Sequence, residues 1–215
     1  MRYISKLNRC EDFDRYIATV SPRNWSRFNP NKKIILHQHL LKEQQFLCVY
    51  CQQSIPPKLT KDIQPGLLHP SHIEHIRPKD THTHLTYEYT NLGVSCNGFD
   101  VTTPPAHPDF CGHPKDNEFD EHLFLHPFEI PDIEDYFQYD INGKILPSSI
   151  SPLKSQKTIT LLRLDNPILE NMRAEQYLIL IEEVTATGLD ITLYLDETLP
   201  ELPKFHSMLK QLFAV

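Results

Sequence analysis

Four groups of residues in this 215-residue chain carry side chains that can do chemistry, and their order says more than any one of them. Cys48-x-x-Cys51 comes first, then Ser71-His-Ile-Glu-His-Ile-Arg-Pro-Lys79, then Asn91-Leu-Gly-Val-Ser-Cys96, then Cys111-Gly-His-Pro-Lys115. Two thiolates at C-x-x-C spacing reach one ion, and Cys96 with Cys111 can complete a tetrahedral structural zinc site closed to water. Fourteen residues separate Cys96 from Cys111, so that ligand set depends on a long loop returning to the site. His107 or His113 can stand in for one cysteine, but the all-cysteine set is favoured. Cys10 has no metal-like neighbours and reads as a structural or incidental thiol.

The stretch around His75 carries the acid–base chemistry. Neighbouring side chains of a strand point to opposite faces, so Glu74 and His75 are placed differently although adjacent. One can bind a divalent metal while the other takes a proton from water, a task that suits an imidazole of ordinary pKa about 6.5. A second element must supply the remaining metal ligand. His113 and Asn117, just after Cys111 at an expected helix start, are the candidates. Lys79 and Lys115 can meet phosphates, and Asn91 can hold its loop or orient the imidazole. Singly, each has a bland reading: His75 as a surface histidine, Asn91 as a turn residue, Asn117 as an N-cap.

These residues need a scaffold, and the chain divides into three zones without an internal repeat. Residues 1–46 read as helical, with Ile34, Ile35, Leu36, Leu40, Leu41 and Phe46 giving an apolar stripe. Residues 47–127 are rich in Pro, His, Asn and Thr, so their order is expected to come from metal rather than from a large apolar core. Residues 128–215 change character. Tyr136–Leu146 alternates around Asn142-Gly143, a hairpin signal. Thr158–Leu164, followed by Asn166–Glu182, reads as a long amphipathic helix, and a last short helix is expected over about Pro203–Phe213.

Mean hydropathy of -0.41 describes a water-soluble globular chain. No apolar run reaches the roughly 18 residues of a membrane span, and the N-terminus has no apolar signal region, so a cytoplasmic protein with reduced thiols is expected. Net charge is -7, but it is unevenly spread. Residues 1–50 hold nine Lys and Arg against four acids, whereas 116–215 hold seven against 18. Arg23, Arg27, Lys32 and Lys33, interleaved with Trp25 and Phe28, can track a phosphate backbone; a solvated helix face is the alternative. The acidic C-terminal half is expected to face a protein partner.

Glu74-His75-Ile-x-Pro78, Asn91-Leu92 and Cys111-x-His113-x-Lys115, led by Cys48-x-x-Cys51, resemble the HNH endonucleases of ββα-metal fold. Glu43–Cys51, Ile73–Lys79, Tyr89–Leu92 and the tail through Leu164-Asp-Asn and Arg173 are similar to the HNH subunit of the Septu and retron-associated antiphage systems. The resemblance implies an α+β chain whose ββα-metal core is held by a four-cysteine zinc site, with flanking N- and C-terminal helices. It also implies a phosphodiesterase using Mg or Mn and partnered with an ABC-type ATPase. In the retron-associated systems a reverse transcriptase and its non-coding nucleic acid are further partners. His75 is then the general base, Glu74 a metal ligand, Asn91 the residue orienting the base, and Cys48, Cys51, Cys96 and Cys111 the zinc set. Two departures stand out: Glu74 replaces the commoner Asp, and Gly112 follows Cys111 where His or Asn is usual. The second leaves the helix-side ligand open between His113 and Asn117, with His72, on Glu74's face of the strand, a further candidate. DNA is the favoured substrate over RNA such as tRNA. The rival class is a zinc-held nucleic-acid-binding or adaptor module with a dead site; a metalloprotease is discounted because no His-Glu-x-x-His helix is present.

Overall fold

The computed structural model describes residues 1–22, 24–56, 71–98 and 109–214. Two helices lead: α1 (Glu11–Val20) and α2 (Pro30–Glu43). The start of α2 is written in its sequence. The Asn29 side chain accepts from the Asn31 and Lys32 amides, and Pro30 takes the first helical position, where no amide donor is needed. Its buried residues are Leu36, His37, Leu40 and Leu41, while Ile34 and Ile35 of the expected stripe are exposed.

Past α2, the chain forms β1 (Ser71–His75) and β2 (Leu92–Cys96), an antiparallel pair in which Glu74 faces Gly93 and His75 faces Leu92. The helical turn α3 (Gly112–Lys115) follows directly on Cys111. The free edge of β2 is closed by a side chain. Gln44, at the end of α2, donates to the Val94 carbonyl at 2.9 Å and accepts from the Val94 amide at 2.6 Å, as a neighbouring strand would.

The C-terminal zone contains β3 (Phe137–Tyr139) paired with β4 (Ile145–Pro147), then α4 (Pro152–Leu162), α5 (Pro167–Thr187), α6 (Ile191–Tyr194) and α7 (His206–Phe213). The hairpin expectation holds. Gly143 has φ +79, and a Cβ there would meet the Glu170 carbonyl oxygen at 2.0 Å, so glycine is required both for the turn and for the approach of α5. The long helix expected from Thr158 onward is two helices. Arg163 turns left-handed at φ 49, and Asn166 caps a new helix that opens with Pro167. Leu169, Arg173, Gln176 and Leu180 form a narrow buried stripe along α5, and Leu178 and Ile179 stay exposed. Among the described residues no helix is long and apolar enough to cross a membrane.

The middle zone is better packed than its composition implies. Tyr50, Ile76, Tyr89, Leu92, Val94, Phe110 and Leu125 are fully buried and belong to one hydrophobic cluster shared with α2, α4, α5 and α7. Metal is therefore not the sole source of order there. The C-terminal zone also bonds to the Cys48–Cys51 turn: the Phe205 amide donates to the Gln52 carbonyl at 2.8 Å, and the Gln52 side chain exchanges hydrogen bonds with Ser207.

His126, only 3% exposed, gives this core a pH dependence. Burial first, only partly offset by Glu129, brings its pKa down to about 4. The unfolded chain binds this proton below about 6.5 and the folded chain only below about 4, so its contribution is intact above 6.5 and falls as pH drops through that window. Acidification from pH 7 to 5 should cost about 2 kcal/mol through this residue. Denaturant titrations of His126→Leu at both pH values should show that loss removed; an unchanged slope against the wild type would refute the assignment.

Candidate metal centre and cleft

Cys48, Cys51, Cys96 and Cys111 are buried and their sulfurs all lie within 4.8 Å of one another. The Cys48–Cys111 and Cys51–Cys96 sulfurs are 3.8 and 3.6 Å apart. That is far beyond a disulfide, and all four thiols are free. It matches the edge of a tetrahedron with metal–sulfur bonds of about 2.3 Å, which is about 3.8 Å. The four side chains can therefore hold one metal ion such as zinc.

Local backbone builds the cluster. A bridge between Leu47 and Ser54 folds the first pair into a tight turn. Gln52, at φ 62, swings the chain so that the Gln53 amide donates to the Cys51 sulfur, and the Cys96 amide donates to that of Cys48. Cys111 takes φ 68 and ψ -136, a region costly for a residue with a Cβ, and is held there by its amide bond to the Leu162 carbonyl at 2.8 Å. Burial pushes the Cys111 thiol well up, and Cys48, Cys51 and Cys96 add to the effect. Four thiolates this close need a cation among them, which a bound metal provides. His113 is exposed and hydrogen-bonds Asn97, outside the sulfur cluster. His107 lies outside the described residues.

Beside the cluster, a cleft of about 220 Å³ gathers Trp25, His72, Glu74, His75, Lys79, Gly112, His113 and Asn117. Glu74 is its electrostatic centre. One carboxylate oxygen accepts from the Tyr50 hydroxyl at 2.9 Å and pairs with the Lys115 ammonium at 3.0 Å; the other lies 3.2 Å from His72 Nε2. Burial works against the charge of Glu74, but Lys115 and His72 outweigh it and bring the pKa down to about 2. His72 likewise gains more from Glu74 and Asn97 than burial takes away, and its pKa is raised. Its Nδ1 lies 2.9 Å from the Asn97 side-chain oxygen, which His113 Nε2 also approaches at 3.4 Å.

His75 is buried at the end of β1. Its Nε2 lies 3.0 Å from the Thr86 carbonyl, which can only accept, so Nε2 carries the ring proton and Nδ1 keeps a lone pair. The Trp25 ring meets the imidazole edge-on at 4.6 Å. Burial lowers the His75 pKa to about 4.

Glu74, His75, His113, Asn117 and Lys79 share one cleft. Asn91 makes no bond to the imidazole. Its amide clamps the loop after β1, accepting from the Arg77 amide at 2.8 Å and donating to the Arg77 and Leu85 carbonyls. Thr86 is what orients His75. Lys115, expected to meet phosphate, is 1% exposed and serves as the counter-ion of Glu74. On the arm, Lys32 pairs with Asp12, Arg27 is exposed, and Arg23 lies outside the described residues. Thr86, Asn97 and Tyr50, and the contact of Trp25 with His75, carry no signal in the sequence because they depend on contacts between distant segments.

Gly112 explains its own presence. A Cβ there would sit 2.6 Å from a Glu74 carboxylate oxygen and 3.0 Å from His72 Nε2. Because Glu74 is pinned by three partners, it cannot yield cheaply. Gly112→Ala should displace the His72–Glu74 pair while leaving the cysteine cluster intact: bound zinc should be unchanged, stability should fall by about 1–3 kcal/mol as the buried network is disturbed, and any metal-dependent activity should be lost. Full activity in this variant would remove Glu74 and His72 from the working site.

No protein-family model matches the chain, and no curated protein matches it.

Proposed function

We propose that the chain is a metal-dependent HNH-type endonuclease that hydrolyses phosphodiester bonds of nucleic acid, with zinc in the four-cysteine cluster as a structural ion. The observation that carries this reading is the cleft: an antiparallel strand pair followed by a helical turn sets a neutral, oriented His75 beside the anionic Glu74, on a frame tied by Cys48, Cys51, Cys96 and Cys111.

A divalent ion fits the donor set. His72 Nε2 and a Glu74 oxygen are 3.2 Å apart, close to the about 3 Å between adjacent ligands of an octahedral ion with bonds of about 2.1 Å. Asn97 on Nδ1 fixes the ring in the manner of an outer partner. His113 or Asn117 completes the set. When bound, such an ion supplies charge stabilisation to the phosphate and the leaving oxygen. Imidazole donors suit Mn²⁺ better than Mg²⁺, so Mn²⁺ should support the faster reaction. His113→Ala should narrow that preference, whereas Asn117→Ala should not if His113 is the ligand.

The protein's own steps follow from the site. Lys79 meets a phosphate at the cleft, and His75 Nδ1 takes a proton from a water placed in line with the phosphorus as the P–O bond breaks. A ring of pKa about 4 is fully neutral at pH 7, and the incoming phosphate's negative charge raises its basicity when a proton must be held. The test is cleavage of plasmid, single-stranded DNA and tRNA by purified protein with added Mn²⁺ or Mg²⁺. A chain that binds these but cuts none with either metal would be the zinc-held adaptor instead, a reading favoured by Lys115 already neutralising Glu74.

An ATPase subunit as partner rests on the resemblance and on α5, where exposed Leu178 and Ile179 sit among Glu175, Glu182 and Glu183. Apolar side chains inside a charged rim suit a protein interface. Leu178→Asp with Ile179→Asp should abolish co-purification with the ATPase; retained binding would place the interface elsewhere.

A further inference from the structure

Trp25 takes no part in the proton transfer at His75, yet it borders the same cleft. It is the sole tryptophan of the chain and lies half-buried in the 3-10 turn Trp25–Arg27 of the basic arm. It borders two cavities at once: the cleft of His75 and Glu74, and a second of about 630 Å³ edged by Asn24, Ser26, Thr83 and Tyr87. Lys79 lines both as well. Phe28 lies parallel to the indole at 5.1 Å and 3°. Tyr87, tilted by 39° at 5.8 Å, and the His75 ring at 4.6 Å also border the indole, which stays half-buried with part of its surface open to the two cavities. Lys33 Nζ is 5.0 Å from the ring centroid, and burial together with Lys79 lowers the Lys33 pKa, with no carboxylate offsetting them. Two cations that repel each other beside an aromatic ring are the elements of a site for a phosphate and a base.

We propose that Trp25 is a nucleobase-stacking platform and that the substrate is an unpaired nucleic-acid strand, running from the His75 cleft across the indole and Lys79 into the second cavity. The placement of the scissile phosphate at His75 rests on the nuclease reading; the stacking does not. In a duplex the base faces are already stacked on one another, so a single strand can offer one to Trp25 at far lower cost. Base–aromatic stacking contributes about 1–3 kcal/mol per base. The flexible Lys33 stem lets its ammonium leave the ring for a phosphate as the base arrives.

The single tryptophan makes the test direct. Emission of Trp25 is followed in the full-length protein, without added divalent metal and with His75→Ala to prevent cutting, during titration with strands of about 12 nucleotides. DNA and RNA single strands, the corresponding duplex and an abasic strand are compared, and anisotropy of labelled strands reports binding independently. Single strands of one or both sugars should quench the emission by about half or more and bind about ten-fold tighter than duplex, with the abasic strand binding weakly and quenching little. Trp25→Ala should lose about ten-fold or more in affinity and Trp25→Phe much less. Binding seen by anisotropy without quenching, or equal affinity for duplex, overturns the proposal. If the wild type cuts with Mn²⁺ while Trp25 stays silent, only this inference falls; quenching without any cleavage by the wild type keeps it and removes the nuclease. No binding of any strand, together with no cleavage by the wild type with Mn²⁺ or Mg²⁺, removes both.

Discussion

Cys48→Ser is expected to give a protein that is insoluble or lacks a cooperative unfolding transition, and the wild type is expected to contain about one zinc per chain. The magnitude follows from what four thiolates contribute together. Structural zinc sites bind with apparent free energies of about 10–16 kcal/mol at pH 7, which is folding free energy when the site exists only in the folded chain. A whole domain is stable by about 5–15 kcal/mol. The buried apolar residues of the middle zone soften this but cannot replace it, because Cys111 is held at φ 68 and the Cys96 and Cys48 backbones are tied to each other through sulfur. Cys10→Ser, a buried thiol outside the cluster, is the control and should stay soluble. A metal-free wild type with an unshifted melting curve would show that packing alone holds the cluster.

What could be read from the chain was what local sequence controls. The C-x-x-C turn, the strand around His75, the Asn-Gly hairpin and the final helix each carry their signal within a few residues and lie where the sequence puts them, although the strand stops at His75, short of Pro78. The break between α4 and α5 is different: the apolar pattern runs on either side of Asn166-Pro167 and cannot show the left-handed Arg163 that separates the two helices. The site was legible as a set of residues and less so as a set of partners. Lys115 illustrates the limit. A lysine after a His and a Pro reads as a surface cation, and only the fold shows that the strand opposite places Glu74 3.0 Å from it. Asn91 likewise could hold a loop or a ring by its type alone, and the choice was made by where Arg77 and Leu85 come to lie. By sequence alone His107 or His113 can replace a cysteine; in the fold Leu162 on α4, remote in sequence, holds Cys111 where its sulfur joins those of Cys48, Cys51 and Cys96.

His75→Ala should lower cleavage by about 10²–10⁴-fold, the range for removing a general base, while the melting temperature changes little. The imidazole makes one hydrogen bond, to Thr86, and packs on Trp25, so the fold loses little with it. The pH profile separates a base from a merely structural histidine. In the free protein the ring is neutral down to about pH 4 because burial disfavours its charged form. With Mn²⁺ saturating at every pH, so that protonation of His72, whose pKa is raised, does not empty the metal site, kcat/KM should stay flat from pH 8 to pH 5.5, where an ordinary histidine base would already have lost about ten-fold. The limb in kcat belongs to the complex, in which the substrate's negative charge stabilises the imidazolium, so it should lie at higher pH than the limb in kcat/KM. Circular dichroism at each pH keeps loss of fold, to which His126 contributes over the same range, from being taken for loss of base. Wild-type cleavage by His75→Ala would place the base elsewhere in the cleft, and a kcat/KM that falls through pH 6.5 at saturating Mn²⁺ would mean that His75 is solvated in the protein that cuts and that Trp25 does not cover it.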